Sequence, residues 1–130
     1  MKFGYVITYV ADVAETVKFW ESAFGIKTRF VDPSGQYAEL ETGITALAFA
    51  AHAMGDTNLP NGYVRADLSE KPLGVELALV TSDVSAATTK AVLAGGVVIK
   101  PPAVKPWGQT VSYVRTPDGS LVELCSPIQA

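Results

Sequence analysis

The hydrophobic and polar positions of this chain follow the same order twice. An apolar run, YVITYV from Tyr5 and VELALV from Val75, leads each time to an aspartate, and an offset of 71 residues aligns Asp12 with Asp83. Aspartate is a preferred helix N-cap, and the segment after each aspartate ends at a glycine, which suits the left-handed end of a helix. The pattern therefore predicts a strand followed by a helix in each half of the chain.

Three further β-rich runs follow each predicted helix. They read IKTRFVD, GQYAELE and ITALAFA in the first half, and VVIKP, QTVSYVR and SLVELCS in the second, with turns at DPSG and TPDG. We predict an α+β fold of two tandem βαβββ modules that form a curved, half-open mixed sheet. The modules span residues 1–50 and 75–130, the connecting segment spans 51–74, and together they form one domain.

An acidic residue stands in the apolar run that opens the second half. Because side chains alternate across a strand, Glu76 shares a face with Ala78 and Val80 rather than with the leucines between them. In the last run, Glu123 alternates with apolar neighbours in the same way, and the first run places Tyr5 and Tyr9 on its corresponding face. The alternation predicts a hollow lined by apolar and aromatic side chains, with two acids inside it.

Composition and charge narrow the classes of function. Ten basic and thirteen acidic residues give a net charge of -3, which argues against nucleic acid as a partner. The single cysteine, Cys125, excludes a disulfide framework, and no apolar run is long enough to span a bilayer. We expect a soluble cytoplasmic protein with no membrane partner. The long connecting segment and the unpaired strand edges favour a homodimer.

The whole chain resembles the vicinal oxygen chelate superfamily, which includes glyoxalase I, extradiol dioxygenases, fosfomycin-resistance enzymes and bleomycin-binding proteins. The resemblance rests on YVITYVADVAETVKFWESAFG, on VELALVTSDV, and above all on KPWGQTVSYVRTPDGSLVEL. It implies the paired βαβββ fold, but not one reaction, because one fold hosts many functions.

For members that use a metal, the resemblance implies ligands on the first and last strands of each module. Carried across, those positions are Tyr5 and Leu47 in the first half and Glu76 and Glu123 in the second. Transition metals favour imidazole nitrogen, and the only histidine, His52, lies outside the four positions, where we expect a surface or linker residue. We therefore expect no cofactor, with one divalent ion held by Glu76 and Glu123 as the alternative.

The first functional hypothesis resembles the bleomycin-binding branch. A cationic or aromatic amphipathic compound would stack on Tyr5, Tyr9 and Trp107 beside Leu47, and its charge would pair with Glu76 or Glu123, as in drug sequestration and antibiotic resistance.

Other interpretations stay open at this stage. One is a metal-dependent lyase, isomerase or dioxygenase, and another is a metal-free acid/base enzyme with one glutamate as the base. Alternatively, the two acids are solvated at the rim of the sheets or paired with Arg115 or Lys105. The pocket forms within one chain or across two.

Overall fold

The computed structural model describes residues 1–128, which form eight strands and three helices. The first module contains β1 (Tyr5–Val10), α1 (Val13–Phe24), β2 (Thr28–Val31), β3 (Tyr37–Leu40) and β4 (Ala46–Ala51). After α2 (His52–Asn58), the second module contains β5 (Glu76–Val80), α3 (Val84–Ala94), β6 (Val97–Val104), β7 (Thr110–Arg115) and β8 (Leu121–Cys125).

The two aspartates begin the helices as predicted. Asp12 and Asp83 each accept a hydrogen bond, at 3.0 Å, from the backbone N–H three residues later. Gly25 ends α1 in the left-handed conformation at φ 68°, and Gly95 ends α3 at φ 122°. These local signals fix where each helix starts and stops.

Each module folds into a four-stranded mixed sheet. Sheet A has the strand order β1-β4-β3-β2 and sheet B has the order β5-β8-β7-β6, with β1 parallel to β4 and β5 parallel to β8. The predicted α+β class and the βαβββ plan of both modules are confirmed. Within residues 1–128, every helix is too short or too polar to cross a membrane.

One core joins the two modules, because α1 packs against α3 between the sheets. Trp20 of α1 is fully buried, and its indole N–H donates to Asp118 in the β7–β8 turn at 3.1 Å. The sheet residues in this core are those whose side chains point at the helices: Val10, Ala38, Leu40, Leu47, Phe49, Val114, Val122 and Leu124. The opposite face of each sheet, which we call its free face, is therefore turned away from the shared helix layer.

The connecting segment contains a helix that the turn-rich sequence did not predict. Helix α2 begins after Ala51, which offers no side-chain cap, and contains Gly55, so neither capping nor propensity marks it in the sequence. Residues 59–74, which we call the strap, then run from α2 to β5.

The strap is fixed to the second module by main-chain contacts. Arg115 donates to the carbonyl oxygens of Ala66, Ser69 and Glu70 at 2.8, 2.7 and 3.1 Å, so its guanidinium is bonded to the strap. Gly119 lies so close to the strap that a Cβ there would collide with the Ala66 carbonyl oxygen. The strap is therefore an ordered part of the fold.

Candidate functional site

The free face of sheet B carries both predicted acids. Strand register places Ala78 opposite Glu123, and Glu123 opposite Tyr113 on the next strand. The Tyr113 hydroxyl donates to Glu123 Oε1 at 3.2 Å. Glu76 lies two residues before Ala78 on the same face, so its long side chain can reach Glu123. The alternation that put these side chains on one face is confirmed.

The two carboxyl groups interact directly. Partial burial raises the pKa of Glu76, and the hydrogen bond and negative charge of Glu123 raise it further, although Glu76 remains exposed at the surface. Burial, followed by the hydrogen bond to Glu123, raises the pKa of Tyr113 as well. The site is therefore a pair of neighbouring acids in which Glu76 holds a proton more readily than an isolated carboxylate does.

A lysine stands beside this pair. The Lys105 Nζ lies 5.7 Å from the centre of the Tyr113 ring, within the range of a cation–π contact, and its charge lowers the pKa of Glu76 against the other effects. The turn that carries Lys105 also carries Trp107, whose indole N–H donates to Gln109 Oε1 at 2.9 Å. Trp107 is 65% exposed, so its ring stands free at the edge of the face.

The free face of sheet A carries a second polar cluster, which the sequence analysis missed. The Tyr37 hydroxyl donates to Glu39 Oε2 at 2.8 Å, and Arg29 pairs with Glu39 Oε1 at 3.1 Å. Burial and the Glu39 carboxylate raise the pKa of Tyr37 to about 12. The alternation in GQYAELE put Tyr37 and Glu39 on one face and was the available signal. Tyr5, 58% exposed, lies on the same free face.

Leu47 does not lie on the free face. Its neighbour Ala48 pairs with Ile7 of β1, as Glu123 pairs with Ala78, whereas Leu47 is buried in the core like its counterpart Val122. Leu47 follows Gly43 at the same spacing as Glu123 follows Gly119, but β4 begins one residue later after Gly43 than β8 does after Gly119. Since a shift of one residue reverses the face of a strand, the position equivalent to Glu123 is Ala48.

Tyr9 lies away from the acid pair, beside the strap. Its ring packs on Tyr63 with centroids 5.0 Å apart, and its hydroxyl accepts a hydrogen bond from Asn58 at 3.2 Å. Both tyrosines line a cavity of about 250 Å³ between β1, β5 and the strap. Two other cavities, of about 420 and 430 Å³, lie along α1 and at its C-terminal end beside β5 and α3. None of these three is lined by Tyr5, Glu76, Trp107 or Glu123.

His52 lies in the connecting segment, as expected, but it is buried, so the expectation of a surface position is wrong. Its Nδ1 lies 2.6 Å from the Tyr63 hydroxyl, and its Nε2 lies 3.4 Å from Asp67 Oδ1. A side chain at Gly55 would collide with the Tyr63 hydroxyl, so the glycine permits this contact. The strap covers His52 with residues distant in sequence, a contact that no local pattern could reveal.

The donor atoms on the free face of sheet B do not match a transition-metal site. They comprise two carboxylates, one phenol of raised pKa and the buried thiol of Cys125, without imidazole. Across residues 1–128, no cluster of three or more histidine, cysteine, aspartate or glutamate side chains is arranged to hold a metal ion.

Known proteins resemble the chain in sequence pattern and in fold. The family model of the Glyoxalase/Bleomycin resistance protein/Dioxygenase superfamily matches residues 2–124. No curated protein matches the sequence significantly.

Solved structures share the architecture at low sequence identity. A glyoxalase-related enzyme from Fulvimarina pelagi aligns with a TM-score of 0.82 at 20% identity, covering 98% of this chain and 88% of that one. A glyoxalase/bleomycin resistance protein/dioxygenase family enzyme from Burkholderia phytofirmans PsJN aligns with a TM-score of 0.81 at 18% identity, covering 99% and 100%. A protein of unknown function from Agrobacterium tumefaciens str. C58 aligns with a TM-score of 0.77 at 23% identity, covering 98% and 94%. At such identities the likeness shows the fold alone.

Proposed function

The chain belongs to the glyoxalase/bleomycin resistance protein/dioxygenase superfamily, and within it we propose that this protein binds a small cationic aromatic or amphipathic molecule on the free face of sheet B. The observation that carries the proposal is the placement of Glu76 and Glu123 on one face of the sheet, beside the Tyr113 ring whose hydroxyl is bonded to Glu123. Sequestration of a cationic drug is the role that we propose for such binding.

Electrostatics supports a cationic ligand. Partial burial raises the pKa of Glu76, and the neighbouring Glu123 carboxylate raises it further because two like charges repel each other. A ligand cation placed between the carboxylates relieves this repulsion and favours the ionised form of Glu76. The Tyr113 ring adds a cation–π surface, and Ala78 and Val80 add apolar contact.

We further propose that a second copy of the chain covers the site. Ile7 on the free face of sheet A and Val80 on that of sheet B are 48% and 66% exposed, more apolar surface than water favours on the open face of a sheet. In a two-fold dimer, the free face of sheet A in one copy would cover the acids of the other copy. That face carries Tyr5 and Ala48. Trp107, in the same turn as Lys105, would border the ligand.

Binding is tested with two probes of the same shape. N-methyl-4-phenylpyridinium carries one positive charge, and 4-phenylpyridine is neutral at pH 8. The cation is expected to raise the melting temperature of the wild type and to quench its tryptophan fluorescence. Neither effect is expected in the double variant Glu76→Gln/Glu123→Gln. The neutral probe is expected to bind weakly to both proteins. Equal binding of the two probes, or undiminished binding by the double variant, would reject the acid pair as the site.

Titration with Mn²⁺, Ni²⁺, Zn²⁺ and Mg²⁺ tests the alternative of a divalent-metal enzyme. Our proposal predicts no stoichiometric, Glu76-dependent binding of any of these ions. One tightly held ion per chain, lost in the double variant, would favour the metal-dependent alternative instead.

Sedimentation velocity tests the dimer. The wild type is expected to sediment as a dimer and the variant Ile7→Lys as a folded monomer with weakened probe binding, whereas Leu93→Lys, which adds the same charge at an exposed position of α3, is the matched control. A monomeric wild type that binds the probe would remove the second copy from the proposal.

A further inference from the structure

Lys105 holds a position that a cationic ligand would also seek. Its ammonium group lies over the Tyr113 ring at 5.7 Å, and the Tyr113 hydroxyl is bonded to Glu123. The lysine is half-buried, and its backbone is fixed in the β6–β7 turn by hydrogen bonds with Gln109 and Gly108 at 2.8 Å each. The turn therefore delivers a positive charge to the acid pair from within the chain.

The other charged groups on this face are placed differently. Arg115 follows Tyr113 on the same face of β7, but its guanidinium is occupied by three backbone carbonyls of the strap. Lys100 lies opposite Tyr113 in the register of β6 and β7 and is exposed. The thiol of Cys125, on the same face of β8, is kept neutral because burial and the Glu123 carboxylate raise its pKa.

We infer that Lys105 is the internal counter-ion of the Glu76–Glu123 pair and that it makes the site selective for ligands with a single positive charge. The inference rests on the proposed function for its ligand, but not for the position of the lysine over the Tyr113 ring beside the acids. One ammonium group opposite two carboxylates leaves one negative charge to be balanced. A monocation balances that remaining charge. The second positive charge of a dication would have no carboxylate to pair with and would be repelled by the Lys105 ammonium group.

Lys105 is therefore a specificity-determining residue, because its repulsion of a ligand increases with the ligand's charge. Removing it should strengthen the binding of both kinds of cation, and that of the dication more. An exposed interaction at this range corresponds to about a threefold change for one ligand charge and about a tenfold change for two. A residue that merely packed on Tyr113 would change both affinities alike.

The test compares Lys105→Met with Lys90→Met, which removes the same charge from α3 on the other side of the sheet. The probes are N-methyl-4-phenylpyridinium, with one charge, and 1,1′-dimethyl-4,4′-bipyridinium, which has the same biaryl frame and two charges. Calorimetry at pH 8 and low salt is expected to show that Lys105→Met binds the singly charged probe about threefold more tightly than the wild type does, and the doubly charged probe about tenfold more tightly. Lys90→Met is expected to bind both probes about as the wild type does. Equal tightening of both probes in Lys105→Met would overturn the selectivity.

A ligand-free measurement separates this inference from the proposed function. The pKa of Glu76, followed by carbon-detected NMR of its carboxyl group, is expected to be higher in Lys105→Met than in the wild type and in Lys90→Met. An unchanged pKa would overturn the counter-ion role, whatever the probes do. A raised pKa without binding of either probe by any form would uphold the counter-ion and reject the proposed ligand.

Discussion

Replacing Glu76 by glutamine should stabilise the protein at neutral pH. Glutamine keeps the size and hydrogen-bonding capacity of the side chain but removes one of two neighbouring negative charges. Because the pKa of Glu76 in the folded protein is raised above its ordinary value of 4.5, the folded state binds this proton more tightly than the unfolded state does. The stability that this group contributes is fully present below pH 4.5 and is lost as the pH rises through the folded-state pKa.

The size of the effect follows from the exposure of the pair. Two unit charges about 4 Å apart interact by about 1 kcal/mol in water, and the partial exposure of Glu76 keeps the screening close to that limit. We therefore expect Glu76→Gln to raise the free energy of unfolding by about 0.5–1 kcal/mol at pH 8 and low salt. In 1 M NaCl, where the Debye length is about 3 Å, most of this gain should disappear.

Urea denaturation at a fixed protein concentration measures the change. With an m-value of about 2 kcal/mol/M, the midpoint should rise by about 0.3–0.5 M at pH 8 and by nothing measurable at pH 4. Glu70→Gln is the matched control, since it removes the same charge from an exposed position of the strap. A Glu76→Gln variant that is no more stable than Glu70→Gln at pH 8, or equally stabilised at both pH values, would refute the interaction between the carboxyls.

Two further changes test the strap contact and the contact that joins the modules. Gly119→Ala should lower the free energy of unfolding by more than about 2 kcal/mol and expose the strap to limited proteolysis, because φ is 92° and the new methyl group would collide with the Ala66 carbonyl. The control Gly108→Ala, with the same φ but open space around it, should lower the free energy of unfolding by only about 1 kcal/mol from backbone strain, and equal losses in the two variants would contradict the close packing. Trp20→Phe should lower the free energy of unfolding, measured in urea, by about 2–3 kcal/mol, because it leaves a cavity and removes the indole donor to Asp118. A loss below about 0.5 kcal/mol would contradict the role of Trp20 in joining the modules.

Local patterns carried most of the fold. The strand alternation, the N-cap aspartates and the turn at Thr116–Gly119 are short-range signals, and the structure confirms the modules that they predicted. The same alternation correctly put Glu76 and Glu123 on one face, because the period of a strand does not depend on what covers it.

Positions that depend on distant contacts were not predictable in the same way. Whether the two free faces enclose one hollow depends on how the modules pack, and the contact between α1 and α3 turns both faces outward within a single chain. The burial of His52 depends on Tyr63 and Asp67 of the strap. A single extra residue between Gly43 and β4 decides that Ala48, and not Leu47, is equivalent to Glu123. Sequence alone therefore identified the chemistry of the acid face but not its surroundings.

The two free faces differ in a way that bears on how a complete site would be built. Where sheet B has Glu123 in its central strand, sheet A has Ala48, and its only glutamate in β3, Glu39, is already neutralised by Arg29. Sheet A therefore offers Tyr5 and small side chains, and its carboxylates Glu39 and Glu41 share the guanidinium of Arg29, whereas sheet B offers two acids on an open surface. If the free faces of sheet B in two copies packed on each other, their acid pairs would repel. Electrostatics therefore favours a dimer in which sheet A of one copy lies over sheet B of the other. A two-fold dimer built in this way contains two equivalent sites, each with one acidic and one aromatic wall.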